Sequence, residues 1–297
     1  MHDAGSPNAT RTLGAPVALA LVALYFIWGS TYLGIRLALD GFPPLLMAAL
    51  RFLLAGAALY AVLRLRGAPA PSRAGWRAGL CVGALLCGAN GLVVVAEQWV
   101  SSAVASVVIA SVPLWAALFA GLLGSWPERR DWLGLAVGFA GVALLQTGGD
   151  LRASPVGALV LLVSAASWAL GSIWSRRLPL APGLMSSATQ MLCGGATLLV
   201  FSLLRGERFA AVPSASALAA FFYLVLFGSV IGYSAYNYLL GRVRPALATS
   251  YAFVNPLVAV ALGVGLLHEQ VTPNALGALA LILLGVGLVV LRKRTPR

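Results

Sequence analysis

Apolar runs of about twenty residues, each bounded by charged or turn-forming residues, recur along the whole chain. They fall at 15–38, 44–63, 78–97, 101–125 and 132–147, then at 155–175, 183–204, 216–240, 245–267 and 273–291. At 1.5 Å of rise per residue such a run crosses a hydrocarbon core of about 30 Å. The pattern predicts an all-α membrane protein with ten transmembrane helices and both termini on one side. Residues 1–14 are polar and lead straight into the first run without a small-residue cleavage site, so that run is read as a retained span.

The runs repeat. At an offset of 139, Ala49, Leu53, Gly56, Ala57, Leu59, Leu65, Arg66 and Gly67 recur as Ala188, Leu192, Gly195, Ala196, Leu198, Leu204, Arg205 and Gly206. At an offset of 143, Val100, Ala103, Ala105, Pro113, Leu114 and Gly134 recur as Val243, Ala246, Ala248, Pro256, Leu257 and Gly277. Each unit holds five runs, an odd number, so the second copy enters the membrane upside down. The expected organisation is a tail (1–14), a first five-helix repeat (15–148), a second, inverted repeat (149–292) and a short tail (293–297). Inverted repeats of this kind enclose a substrate site near the bilayer midplane. Glycines spaced by four (Gly75, Gly79 and Gly83; Gly134 and Gly138; Gly228 and Gly232) are expected to let helices approach closely.

Composition agrees: 60% of the 297 residues are hydrophobic and 9% are charged, against about 25% charged in soluble domains. The net charge of +12 gives orientation rather than nucleic-acid binding, because the basic residues sit between the apolar runs. With a cytoplasmic N-terminus, fifteen Lys and Arg fall inside and four (Arg36, Arg152, Arg205 and Arg208) outside, as the positive-inside rule requires. Cys81, Cys87 and Cys193 lie within apolar runs and are odd in number, which argues against a disulfide framework. The only lysine is Lys293 and the only histidines are His2 and His268. A Walker-type nucleotide site therefore lacks its lysine, and a metal or haem site lacks ligands. No cofactor, nucleotide hydrolysis or enzymatic activity is expected.

Charge within a span is costly and marks candidate function. Arg51 lies about two turns inside the second span, and Glu97 ends the third. The two spans are antiparallel neighbours, so an Arg51–Glu97 ion pair near the outer mouth is expected. It serves either as a structural tie or as a site for coupling and substrate charge. Gly83, Cys87, Asn90, Val94 and Glu97 form one stripe. With Trp28 and Tyr32, Trp168 and Ser172, Tyr233 and Asn237, and Tyr251 and Asn255, Asn90 outlines an aromatic cavity bearing a few hydrogen-bonding groups. Such a cavity suits small amphipathic solutes, although helix packing alone accounts equally for any one aromatic. Pro113 and Pro256 fall near the middles of the fourth and ninth spans, as hinges or as static kinks.

The stretches FIWGSTYLGIRLAL, LRFLLAG, SAVASVVIASVPLWAAL and PALATSYAFVNPLVAVALGVGLLHE resemble the EamA family of the drug/metabolite transporter superfamily, over both halves of the chain. The resemblance implies inverted five-helix repeats around a central cavity and export of amino acids or other small metabolites. It also implies an acidic residue at the end of the ninth span, here Glu269. The equivalent position in the first half is Trp126, with Glu128 two residues on. The expectation is a monomeric secondary exporter of the bacterial inner membrane, moving a small-molecule substrate by alternating access, with amino acids, aromatic ones included, as the leading class. Export of other drug-like or cationic metabolites, or passive facilitation, stays open.

Overall fold

Proline and serine mark where the helices begin, because the first turn of a helix needs no backbone N–H from proline and gains an acceptor from a capping hydroxyl. The computed structural model describes residues 14–124, 126, 128–147, 154–243, 248, 251–268 and 270–290. Expectations placed on the two tails, on Arg152 and on Glu269 fall outside these. Helix α1 spans Ala15–Ala38 and α2 Pro44–Leu65, each with proline in its first turn. Helix α3 (Arg73–Ala96) is capped by Ser72, whose Oγ accepts from the N–H of Gly75 at 3.0 Å. The cap starts α3 five residues before the apolar run, so Arg73 and Arg77 belong to the helix.

The fourth run is not one helix. It divides into α4 (Ser102–Ile109) and α5 (Val112–Leu122), followed by α6 (Arg129–Thr147). The second half opens with α7 (Pro155–Trp174), capped by Ser154, and α8 (Leu184–Leu204). Helix α9 (Ala215–Tyr223) continues through an eight-residue π-helical segment, Leu224–Ile231, into α10 (Gly232–Arg242). Helices α11 (Tyr251–Leu267) and α12 (Pro273–Val290) complete the described chain.

Among the described residues there is no β-strand, and seven helical stretches are long and apolar enough to cross a membrane. Shorter apolar helices lie at Trp132–Gly141, Val254–Leu266 and Pro273–Gly285. Leu19, Phe26, Leu65 and Leu204 are among many large apolar side chains left exposed. A continuous surface of that kind is stable against lipid and not against water.

Helices α2 and α8 end alike. Gly67 and Gly206 adopt φ of +83° and +67°, a left-handed turn open to glycine without strain. The N–H of Ala68 returns to the Leu63 carbonyl at 2.9 Å, and that of Glu207 to Ser202 at 3.0 Å, as in a Schellman cap. Glu207 also takes the first turn of α2, where its carboxylate accepts from the N–H groups of Leu46 at 2.8 Å and Leu45 at 3.3 Å. Negative charge is favoured at a helix N-terminus.

The main packing partners are α6 with α12, α2 with α8, α3 with α7 and α8, and α1 with α11. The α2–α8 contact is reciprocal. A Cβ added to Gly56 would stand 2.9 Å from the backbone nitrogen of Leu192, and one added to Gly195 would stand 2.9 Å from that of Leu53. Both pairs are related by the 139-residue offset of the sequence repeat. Of the expected small-residue contacts, Gly79 and Gly83 meet α8 at Thr189 and Gln190, while Gly138 meets Leu114 and Gly285.

Candidate functional site

Eight helical segments, among them α4 through Ile109, converge on one cavity. Its wall is built from Trp28, Thr31, Tyr32 and Ile35 of α1, Arg51 and Phe52 of α2, Asn90 and Val93 of α3, and Trp168 of α7. Gly228 of the π segment, Tyr233 of α10, and Tyr251 and Asn255 of α11 close it. The enclosed space is about 60 Å³, room for a few waters. Two much wider openings lie at the ends of the bundle. One, about 780 Å³, is bordered by Arg176, Ser187, Asn237 and Arg242; the other, about 520 Å³, by Arg36, Asp40, Gln98 and Arg208. The centre is therefore pinched between two vestibules.

Aromatic rings set the shape of the centre. The Trp28 ring lies 5.4 Å from Trp168, 5.1 Å from Tyr236 and 5.0 Å from Tyr251. The Trp168 and Tyr251 contacts are edge-on, an arrangement the ring quadrupoles favour. Trp28 Nε1 donates to the carbonyl oxygen of Gly228 at 3.1 Å. The indole nitrogen of Trp168 is buried beside the hydroxyls of Tyr236 and Tyr251.

The structure corrects the expected ion pair. Arg51 is 2% exposed, and its Nε donates to Ser229 Oγ at 2.7 Å and its Nη1 to Asn90 Oδ1 at 3.1 Å. Its guanidinium carbon stands 5.0 Å from the centre of the Phe52 ring. Glu97 is not among its contacts. That residue caps the end of α3, fully buried, where its carboxylate accepts from Ser102 Oγ at 3.3 Å and its backbone carbonyl from Arg36 Nη1 at 2.8 Å. Helix α2 packs mainly on α8, and less, to an equal extent, on the π segment and its sequence neighbour α3.

Trp28, Tyr32, Asn90, Trp168, Tyr233, Tyr251 and Asn255 all reach the cavity wall. Ser172 does not: its hydroxyl bonds Tyr236 OH at 2.8 Å and the Trp168 carbonyl at 2.7 Å, behind the ring cluster. Asn237 also lies elsewhere, bonding Ser187 Oγ at 3.0 Å in the vestibule near Arg176. Asn255, with its amide turned to suit its neighbours, donates to the carbonyls of Tyr251 and Tyr25 at 3.2 Å.

The two prolines part company. Pro256 sits inside the continuous helix α11. Pro113 occupies the first turn of α5, directly after the interruption of the fourth run at Ala110 and Ser111. Ser111 Oγ there donates to the carbonyl of Val108 at 2.6 Å.

One participant was missed in the sequence. Gln190 of α8 is fully buried and accepts from Tyr233 OH at 2.8 Å, while its amide donates to Ser186 Oγ at 2.7 Å. A glutamine alone in an apolar run is a signal that the search for charged residues passes over. The π segment supplies Gly228 and Ser229, and nothing in LVLFGSVI marks it as other than an ordinary helix.

A helical body with a lipid-facing exterior, an aromatic and hydrogen-bonding cavity at its core and a vestibule at each end defines a transport protein of the membrane. The chain belongs to the EamA-like transporter family, whose pattern it matches twice, over residues 15–147 and 155–291. It is a membrane transporter of the drug/metabolite type and not an enzyme. It is 46% identical to the uncharacterized inner membrane transporter YedA of Escherichia coli (strain K12) over 280 residues, covering 94% of this chain and 92% of that protein. It is 27% identical to a Salmonella typhimurium protein named "Probable amino-acid metabolite efflux pump", covering 94% and 96%. A solved crystal structure shares the fold with a TM-score of 0.68 at 22% identity, over 93% of this chain and 97% of the other.

Proposed function

We propose that this protein is an inner-membrane secondary exporter of small amphipathic metabolites, with amino acids and aromatic ones among them as the leading class. The observation that carries this reading is the pinched aromatic cavity lying between two open vestibules. An alternating-access carrier needs one site that either vestibule can reach in turn, and a resting state in which neither does. Trp28, Trp168, Tyr233 and Tyr251 hold the apolar part of the solute, and Asn90 and Asn255 bond its polar groups. Direction follows from the difference in solute affinity between the inward and outward states.

Ten spans arranged as two inverted five-helix repeats, 15–148 and 149–292, account for the organisation. The reciprocal Gly56–Leu192 and Gly195–Leu53 contacts and the twin caps at Gly67 and Gly206 support that arrangement. The excess of basic residues places both termini, and the Arg176 vestibule, in the cytoplasm. The name of the YedA relative supports the inner membrane, and that of the Salmonella relative supports amino-acid metabolites. Glu97, buried at the outer end of α3, is the candidate for proton coupling, and Pro256 is the hinge of α11.

Counterflow in proteoliposomes tests the proposal. Saturable, trans-stimulated exchange of at least one amino acid is expected. Flux that never saturates and ignores the trans solute indicates a passive facilitator, and no flux across an amino-acid panel removes that substrate class.

A further inference from the structure

The cavity wall carries a positive charge, and none of the described residues that bond it or line the cavity is acidic. Arg51 is 2% exposed, and its hydrogen-bond partners, Ser229 and Asn90, are both neutral. Those bonds use two of the five N–H groups of a guanidinium, and Nη2 has no partner among the described residues. No Asp or Glu lines the cavity. A cation at membrane depth without a counter-charge is strongly disfavoured and tends to mark a substrate path. Of the neighbouring groups, Phe52 offers only its ring face. Among the described residues, the sum of charge on the cavity wall is therefore positive.

Resting on the carrier reading above, we infer that Arg51 is the carboxylate-recognising residue of the site and that the transported solutes are organic anions with an aromatic or apolar body. The guanidinium pairs with the carboxylate through its uncommitted N–H groups, a geometry that arginine supplies and lysine does not. The body of the solute packs against Trp28, Trp168 and Tyr251. An amino group adds nothing to recognition: beside Arg51 an ammonium is repelled, and no acidic side chain on the wall receives it. The carboxylate is the required group of any amino acid carried here, and its amine is dispensable.

A matched series separates this inference from the carrier reading. The probes are 3-phenylpropionate, phenylalanine, 3-phenylpropionamide and phenethylamine, each measured by trans-stimulated exchange in proteoliposomes and by tryptophan fluorescence of the purified protein. The expected order has 3-phenylpropionate binding at least as tightly as phenylalanine. The amide and the amine bind about 10- to 100-fold more weakly, as loss of a charge-assisted pair implies. Arg51→Gln is expected to reduce 3-phenylpropionate to about the level of the amide, closing the gap that separates the two in the wild type. Arg51→Lys, which keeps the charge, retains part of the preference and decides the matter if the glutamine variant does not fold. An amine carried as well as the anion, or wild-type affinity for 3-phenylpropionate in Arg51→Gln, overturns the inference and leaves a carrier of another selectivity. No saturable exchange of any member overturns the inference and the carrier reading together.

Discussion

Trp28 of α1 donates its indole N–H to the carbonyl oxygen of Gly228, 3.1 Å away in the π-helical segment. Two hundred positions of chain separate them, and the bond fixes one of the two indole rings of the cavity wall to the π-helical stretch. The space for this is made by glycine. A Cβ at Gly228 would stand 2.7 Å from Arg51 Nη2 and 3.0 Å from Thr31 Cγ2.

Gly228→Ala is therefore expected to push Arg51 and Thr31 off their positions. Overpacking costs about 1–3 kcal/mol, so the variant should remain folded while exchange falls about tenfold or more. Thermal melting and counterflow on the same preparation check this, and unchanged flux would refute it.

Gln190→Leu leaves the Tyr233 hydroxyl buried without its acceptor, at a cost of about 1–3 kcal/mol. Adding Tyr233→Phe removes the stranded hydroxyl and should restore part of the lost melting temperature. A double-mutant cycle on thermal stability measures the coupling; additive losses would show that the bond at 2.8 Å contributes nothing.

Pro256→Ala and Pro113→Ala should behave differently. Pro256 lies inside α11, and proline inside a helix costs about 3 kcal/mol, so its replacement should raise or maintain stability while slowing turnover. Pro113 starts α5, where proline is at home, and its replacement should change neither by more than about twofold. Single-turnover exchange compared with melting temperature separates the two, and equal effects would remove the hinge role from Pro256.

Glu97→Gln keeps the shape of a side chain that accepts from Ser102 and takes away its charge. Flux driven by a pH gradient is expected to disappear while counterflow without a gradient persists. Gradient-driven flux that survives intact excludes proton coupling through this residue.

Asn90→Ala and Asn237→Ala test the boundary of the site. The first removes a partner of Arg51 and should weaken solute binding about tenfold, in keeping with a hydrogen bond to a charged group. The second alters only the vestibule and should leave binding within about twofold. Fluorescence titration with any exchanged solute distinguishes them.

The helical membrane body is legible in the sequence because lipid demands unbroken apolar runs, and that demand is written residue by residue. The aromatic wall is legible in part, since Trp28, Asn90 and Tyr251 stand out against aliphatic neighbours. What stays hidden depends on packing between distant segments. The break between α4 and α5 at Ala110 and Ser111 is marked only by Pro113, which reads equally as a kink within one continuous span. Arg51 reads as the partner of Glu97 because their spans are sequence neighbours, yet α2 finds its closest contact on α8. Ser172 and Asn237 share helical faces with cavity residues but lie behind the rings or in the vestibule, at depths that periodicity does not encode.

Leu224–Ile231 adds a further consequence. A π-helical stretch closes its hydrogen bonds one residue later than an α-helix, so it accommodates extra chain within the same rise and turns the residues beyond it to a new bearing. Tyr233 and Tyr236 face inward because of that offset. The length of this span is then set by angular phase as well as by membrane thickness. Removal of a single residue between Leu224 and Ile231 would leave a helix still able to cross the bilayer, with its tyrosines aimed at the wrong neighbours.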